Sequence, residues 1–411
     1  MRRPAPGPPG DFGRYWVASV ASNLGDGVRL TAVPVLAAAI TPDPAAVAAV
    51  TFAGWLPWLV VALPGGVLVD RVDRRALMVA LQVARLAIAS ALTLVLLAGL
   101  RTLAGLGAVV FAMGACEVLF ASAAPALLPA LVERGELPRA NARLFAGELA
   151  ASEFVGPPLG GLLFSLAAPL PFAFDAVTFG AGALLLRRVR GEFQPAAAGP
   201  WSAGAIVRDA GAGLAWLWRS RLVRTLTLAD AALNLSRSMT VAIFVLFALH
   251  VLRLSAFGFG VLWTATAAGA LAGSLLMDRV RLRHERLVLV AALLVDGAST
   301  AAIAFTDRAL AVAVATAVFG FATMVWNVIS ASMTQAATPN DMLGRVSSAQ
   351  RFLSWGCLPA GAALGGVVAH AYGLAAPFLA GGLLVLAIVA PAALQLAAGE
   401  NRVPAGREAG P

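Results

Sequence analysis

Apolar runs of 18 or more residues recur along this chain, each closed by a short polar stretch. A run of that length crosses the hydrocarbon core of a bilayer as a helix. The pattern predicts twelve spans, at about 14–39, 45–69, 76–99, 103–125, 142–167, 170–187, 224–250, 257–277, 287–306, 309–332, 346–369 and 373–397. Alternating segments of roughly ten residues, the signature of a membrane β-barrel, do not occur. The expected fold is therefore an all-α membrane protein. The longest break, about 188–223, separates six spans from six. Within it "GEFQPAAAGP" reads as flexible. "SAGAIVRDAGAGLAWLWRSR" reads as an amphipathic helix with Trp201, Trp216 and Trp218 near a basic face, lying along the membrane surface. The predicted organisation is a bundle over 1–187, a linker over 188–223, a second bundle over 224–398 and a tail over 399–411.

Composition agrees with that pattern. Of 411 residues, 60% are hydrophobic and 12% charged, against roughly 25% charged in soluble domains. The net charge of +9 raises nucleic acid as a partner, but its distribution explains it better. All 30 basic residues are Arg, and 24 fall in alternate loops, the linker and the termini, against three, Arg101, Arg253 and Arg308, in the opposite loops. By the positive-inside rule both termini are cytoplasmic and no nucleic acid is implied. Cys116 and Cys357 sit in apolar segments and imply no disulfide framework. The basic, Pro- and Gly-rich start precedes no cleavage site, so the first span reads as a retained helix.

The halves repeat. "GGVLVDRVDRR" after span 2 returns as "GSLLMDRVRLR" after span 8, "GPPLGGLL" in span 5 as "GAALGGVV" in span 11, and "NLGDGVRLTAVPVL" in span 1 as "NLSRSMTVAIFVL" in span 7, at offsets of about 208, 205 and 211 residues. Three matches at nearly one offset indicate a duplicated six-helix unit. Parallel repeats of this kind build secondary transporters whose substrate site lies between the halves.

The segment Gly66–Arg75, with Asp70, Arg71, Arg74 and Arg75, resembles the loop signature between helices 2 and 3 of the major facilitator superfamily, and Asp278 with Arg279 resembles its degenerate second copy. "SNLGDG", "PALLPALV…LPRANAR", "VGPPLGGLL" and "TPNDMLGRVSS" resemble the bacterial branch containing the enterobactin exporter and macrolide-efflux-like proteins. The resemblance covers nearly the whole chain. It departs where Asp73 replaces a usual Gly, where no Arg matches the helix 4 motif of drug/proton antiporters, and where helix 4 carries Glu117 instead. It implies a two-bundle fold in a bacterial cytoplasmic membrane. It also implies a gate in which Asp70 meets the start of helix 11 near Gly344 and Arg345, and a central cavity lined by helices 1 and 7.

Charges inside spans are the candidate chemistry, because each costs roughly 2.5–3.5 kcal/mol at a helix centre on insertion scales unless a partner or cavity receives it. Asn23, Asp26 and Arg29 share an arc of about 120° on span 1, and Asp230, Asn234 and Arg237 one of about 60° on span 7. The repeat sets Asn23 opposite Asn234 and Asp26 opposite Arg237. Asp26 then meets either Arg237 across the cavity or Arg29 on its own helix. The set carries a proton, binds polar parts of a substrate, or locks helices together. Glu117, Glu148 and Glu153 are rival proton carriers. Asp175 and Asp296 are further intramembrane acids, Asp296 read as structural, and Arg85 reads as snorkelling to the interface. Trp326, Asn327 and Trp355 are candidate cavity residues on spans 10 and 11, which approach the cavity in the resembling family.

No Walker motif, dinucleotide fingerprint, HExxH or Cys/His cluster occurs, and the three His have no metal-ligand spacing. The expectation is a proton-coupled exporter of small amphipathic molecules, without cofactor, with substrate, protons and lipid as partners, acting as a monomer. An uptake symporter is the alternative, followed by a non-transporting membrane sensor; an enzyme is disfavoured for want of a nucleophile–base pair.

Overall fold

The computed structural model describes residues 10–61, 72–124, 127–190, 203–279 and 284–398. Besides a linker helix, Ala203–Arg219, its long helices within these residues are α1 (Asp11–Ile40), α2 (Pro44–Val60), α3 (Arg74–Leu97), α4 (Leu103–Ala123), α5 (Leu137–Leu166), α6 (Leu170–Arg187), α7 (Arg221–Val251), α8 (Ala256–Arg279), α9 (Glu285–Ile303), α10 (Ala309–Ala337), α11 (Leu343–Tyr372) and α12 (Ala376–Ala398). The helices from α3 to α12 are long and apolar enough to cross a membrane, and α2 is a shorter apolar helix. The rest of the second predicted span lies outside the described residues. α1 has 30 residues and the length to cross, its mean hydropathy lowered by its own polar stripe. Among the described residues there is no strand, and the chain is an all-α, multi-pass membrane protein.

Helix ends outrun several apolar runs. α7 begins at Arg221 and α11 at Leu343, each three residues early, and α10 ends at Ala337, five residues late. Backbone hydrogen bonding continues into polar sequence until a cap stops it. Ser220 is such a stop: its Oγ accepts from Val223 N at 3.4 Å, separating α7 from the linker helix Ala203–Arg219. That helix packs on α11 and α7, with Leu217 buried against Val223, Val346 and Ala349. Trp218 is exposed on it, and Trp201 lies outside the described residues.

The packing follows one pattern twice. α1 lies against α5 and α6, α3 against α4 and α6, and α2 against α4; six helices on, α7 lies against α11 and α12, α9 against α10 and α12, and α8 against α10. The halves meet along α2–α11 and α5–α8, which the same step interchanges. Between lipid-bathed helices no hydrophobic drive exists, so association depends on close backbone approach at small residues. A Cβ on Gly160 would lie 2.9 Å from the carbonyl carbon of Val28, and one on Gly365 would lie 2.8 Å from that of Met239. These are equivalent crossings, α1–α5 and α7–α11.

α5 carries a π-helical turn, Ala150–Val155, directly before Gly156-Pro157-Pro158. Each proline removes a helical N–H and so frees a carbonyl one turn back. One of these, Phe154 O, accepts from Thr264 Oγ1 of α8 at 3.3 Å, across the bundle interface.

At the end remote from the termini, one apolar core draws on both bundles, with Val33, Leu36, Val47 and Phe172 joining Ile243, Phe247, Phe259 and Phe378. At the terminal end, among the described residues, separate cores form around Tyr15, Met78 and Leu186 and around Leu226, Leu293 and Val389. There the residues just after α6 are held by arginines: Arg75 Nη1 donates to Val189 O at 2.7 Å and Arg14 Nη1 to Arg188 O at 3.4 Å.

A contact at the remote end links the bundles. Asp43 caps α2, accepting from Ala45 N at 3.1 Å, and meets His370 Nδ1, in the last turn of α11, at 2.9 Å. The His370 hydrogen bond, aided by the Ala45 N–H, holds the Asp43 carboxyl below its usual range.

The glycine crossings and the Asp43 contact can each be tested by substitution. Gly160→Val and Gly365→Val should each lower stability in detergent by about 1–3 kcal/mol through overpacking, measured by thermal unfolding. Gly13→Ala, whose Cβ would meet nothing within 4 Å, should be neutral or stabilising. The lowered Asp43 pKa stabilises the fold above the unfolded carboxyl's value and ceases to do so as pH falls through the folded value. The melting-temperature gap between wild type and Asp43→Asn should therefore shrink below about pH 4.

Candidate functional site at the bundle centre

Three arginines lie inside spans rather than in loops: Arg29, Arg85 and Arg237. The first two form one cluster. Small residues in "SNLGDGV" let α1 press against its neighbours: a Cβ on Gly25 would collide with Asp175 and Thr178 of α6, and one on Gly27 would lie 2.9 Å from Ser152 Cα of α5. Arg29 Nη2 pairs with Asp26 Oδ1 at 2.5 Å and with Glu117 Oε2 of α4 at 3.4 Å, and its Nε stands 3.8 Å from Asp175 Oδ2. Arg85 Nη1 of α3 reaches Asp26 Oδ2 at 3.5 Å. Asp26 thus resolves onto Arg29 and Arg85 rather than across the cavity to Arg237.

The snorkelling expected of Arg85 is corrected. It is 2% exposed and stacked by Phe120 and Phe179, with its guanidinium carbon 5.6 and 5.1 Å from their ring centres. An arginine enclosed by rings and a carboxylate has no path to the headgroups. Asp175, fully buried with both oxygens lacking hydrogen-bond partners, joins the same cluster. Three carboxylates thus share two guanidiniums.

Asp26, Arg29, Glu117, Glu153 and Asn23 line a cavity of about 370 Å³, walled by Trp55, Trp58 and Trp263. A second cavity, of about 400 Å³, is lined by Asp230, Asn234, Arg237, Asp296, Trp326, Asn327 and Trp355, and shares Trp55 with the first. The two asparagines behave alike: Asn23 Nδ2 donates to Ser19 O and Asn234 Nδ2 to Asp230 O, each at 3.0 Å one turn back on its own helix. Asp296 is 3% exposed and accepts from Thr323 Oγ1 at 2.9 Å.

These positions are related by the repeat, with a reversal. The offset of 211 carries Asn23 to Asn234, Asp26 to Arg237 and Arg85 to Asp296. Acid on α1 and base on α3 become base on α7 and acid on α9. The equivalence of Arg85 and Asp296 is a signal present in the spacing that reading the two helices separately misses.

The other expected residues divide. Glu153 lines the first cavity, whereas Glu148 turns to α1, accepting from Ser19 Oγ. Trp326 lines the second cavity at 2% exposure, and Trp355 packs edge-on against Trp58 across the α2–α11 interface, with ring centres 4.8 Å apart. Of the signature residues, Gly66, Asp70 and Arg71 lie outside the described residues. Arg74 has a buried Nε without a hydrogen-bond partner, and Asp278 and Arg279 are exposed at the end of α8.

Two pseudo-symmetric helical bundles around charged cavities define a membrane transporter, not an enzyme. The chain belongs to the major facilitator superfamily, matching the family described as "Transmembrane secretion effector" over residues 5–407. It is 28% identical over 391 residues to the multidrug efflux pump Tap of Mycolicibacterium fortuitum, covering 91% of this chain and 93% of that one. Among solved structures it resembles the nucleoside transporter NupG (TM-score 0.72, 11% identity, 94% of this chain and 99% of that). It also resembles a bacterial homologue of the iron transporter ferroportin in an inward-facing state (TM-score 0.67, 18% identity, 93% and 98%). At those identities the likeness is one of fold.

Removing Arg85 leaves Asp26 with one partner and Asp175 with one fewer opposite charge nearby. Arg85→Leu should destabilise by about 3–5 kcal/mol, as for a broken buried pair, read as a fall in melting temperature and in folded yield. Adding Asp26→Asn to Arg85→Leu should recover part of that loss.

Proposed function

We propose that this chain is a proton-coupled exporter of small amphipathic organic molecules, in a bacterial cytoplasmic membrane with both termini inside. The observation that carries the reading is the cluster of Asp26, Glu117 and Asp175 around Arg29 and Arg85. An unpaired charge in a low-dielectric interior is resolved by taking a proton. The carboxylate in excess therefore holds one reversibly. The Glu117 side chain is 42% exposed in the cavity, against 1% for Asp175, so Glu117 is the member of the cluster most open to the cavity. The efflux function of the Tap relative supports the outward direction. The excess of Arg on the terminal side supports the orientation. Substrate occupies the Trp-walled cavities while alternating access exposes them to each side in turn.

The test is transport in proteoliposomes, with substrates chosen by drug-susceptibility profiling of an overexpressing strain. Asp26→Asn and Glu117→Gln should each reduce accumulation driven by a pH gradient at least tenfold while downhill counterflow persists. Uphill accumulation at the wild-type level in both variants would overturn the coupling role. Uptake driven by a proton gradient in the inward direction would favour the symporter.

A further inference from the structure

Arg237 stands apart from the other intramembrane arginines. It lies midway along α7, exposed within the protein's interior cavities, and its guanidinium forms no ion pair within 4 Å among the described residues. Two carboxylates reach it electrostatically, Glu153 from α5 and Asp296 from α9, but both stand beyond pairing distance and Asp296 is engaged by Thr323. A guanidinium at membrane depth is costly to leave uncompensated.

One side of Arg237 opens into a third pocket, of about 60 Å³, which no carboxylate lines. Its walls include Thr240, Phe244, Trp263, Phe319 and Phe378. The rings are held edge to face, Phe244 with its centre 6.3 Å from Trp263 and 6.0 Å from Phe378. Arg237 also lines the second cavity, so a group seated there continues into the larger volume. A cation between a small pocket free of carboxylates and a larger cavity walled by Phe319, Trp326 and Trp355 matches a ligand with an apolar ring and an attached anion. The planar guanidinium suits a carboxylate or similar group bidentately, and ring–ring contacts add orientation.

We infer that Arg237 and the pocket beside it form a substrate subsite for aromatic anions, the carboxylate or equivalent group docking on the guanidinium at the small pocket and the ring lying in the adjoining second cavity against Phe319, Trp326 and Trp355. This deepens the exporter reading and rests on it for its transport consequence. Binding itself needs neither a proton gradient nor Asp26, so the two fail separately.

The test is equilibrium binding to the full-length protein in lipid nanodiscs, by calorimetry without a gradient. Three probes share one ring system: 2-naphthoate, neutral 2-naphthamide and cationic 2-naphthylmethylammonium. The naphthoate should bind at least tenfold tighter than the amide. Arg237→Gln should abolish that preference with amide binding unchanged, Arg237→Lys should restore part of it, and Glu153→Gln, by removing a competing anion, should strengthen naphthoate binding. Equal affinity for carboxylate and amide, tightest binding of the ammonium, an unaffected Arg237→Gln or no binding by any probe would each overturn the assignment. Loss of amide binding in Arg237→Gln would also overturn it, because Arg237 would then shape the pocket rather than read charge. Loss of gradient-driven transport in Asp26→Asn with naphthoate binding intact would support the subsite and the coupling role independently.

Discussion

A guanidinium placed in hydrocarbon has to be neutralised, and the first bundle is arranged around that requirement. Arg29 sits on a helix that cannot lift it to an interface, since it lies near the middle of α1. Its partners come from three helices: Asp26 on α1 itself, Glu117 on α4 and Asp175 on α6. Arg85 on α3 then shares Asp26. Four helices are fixed relative to one another by these contacts. The approach needed to make them is possible because Gly25 and Gly27 remove side chains where α1 meets α6 and α5. Small residues and charges in "SNLGDGVR" are therefore one design: the first permit the distances the second require.

The second bundle repeats the scaffold and changes the chemistry. The glycine crossing of α1 on α5 recurs for α7 on α11, and the Asn side chain bonded one turn back recurs intact. The charges reverse sign at equivalent places, and the ring of ion pairs does not recur among the described residues. Where the first bundle buries Arg85 against Asp26, the second has Asp296 held by a neutral Thr323 and leaves Arg237 facing cavity. A duplicated scaffold conserves backbone approach because both halves must cross in the same way. Polar side chains at the centre are released from that constraint, because each half meets different groups in the cavity.

How much of this is legible in the sequence depends on which contacts are local. The spans, the duplication and the polar stripe on α1 follow from spacing along single helices. Asp26 with Arg29 is an i,i+3 contact and is one of the two pairings the spacing allows. The sequence misplaces Arg85 because spacing sets it in the inner half of the span predicted over 76–99 and does not say which way it faces. Its fate is decided by rotation: α3 turns it toward α1, where Phe120, Phe179 and Asp26 enclose it. The divergence of Glu148 and Glu153 is visible as an angular separation on an ideal helix. The π turn between Ala150 and Val155 is not, although Pro157-Pro158 signals the missing donors that accompany it.

The reversal of charge also bears on how two bundles can exchange positions around a shared substrate. A transporter with identical half-sites would present the same sign of charge on both walls of its cavity. Any charged ligand, or proton, would then be drawn to both walls or to neither. Here the first wall holds acids whose charge exceeds that of their guanidiniums, and part of the second wall holds a guanidinium without a paired acid. A proton and an organic anion therefore need not compete for one group. Glu153 connects the two walls, lining the first cavity on α5 while its charge reaches Arg237 on α7. In the proposed subsite an anion seated on Arg237 shares that guanidinium with Glu153. Two groups that share one guanidinium influence each other's binding reciprocally, which is the minimal physical requirement for coupling two solutes through a single cavity.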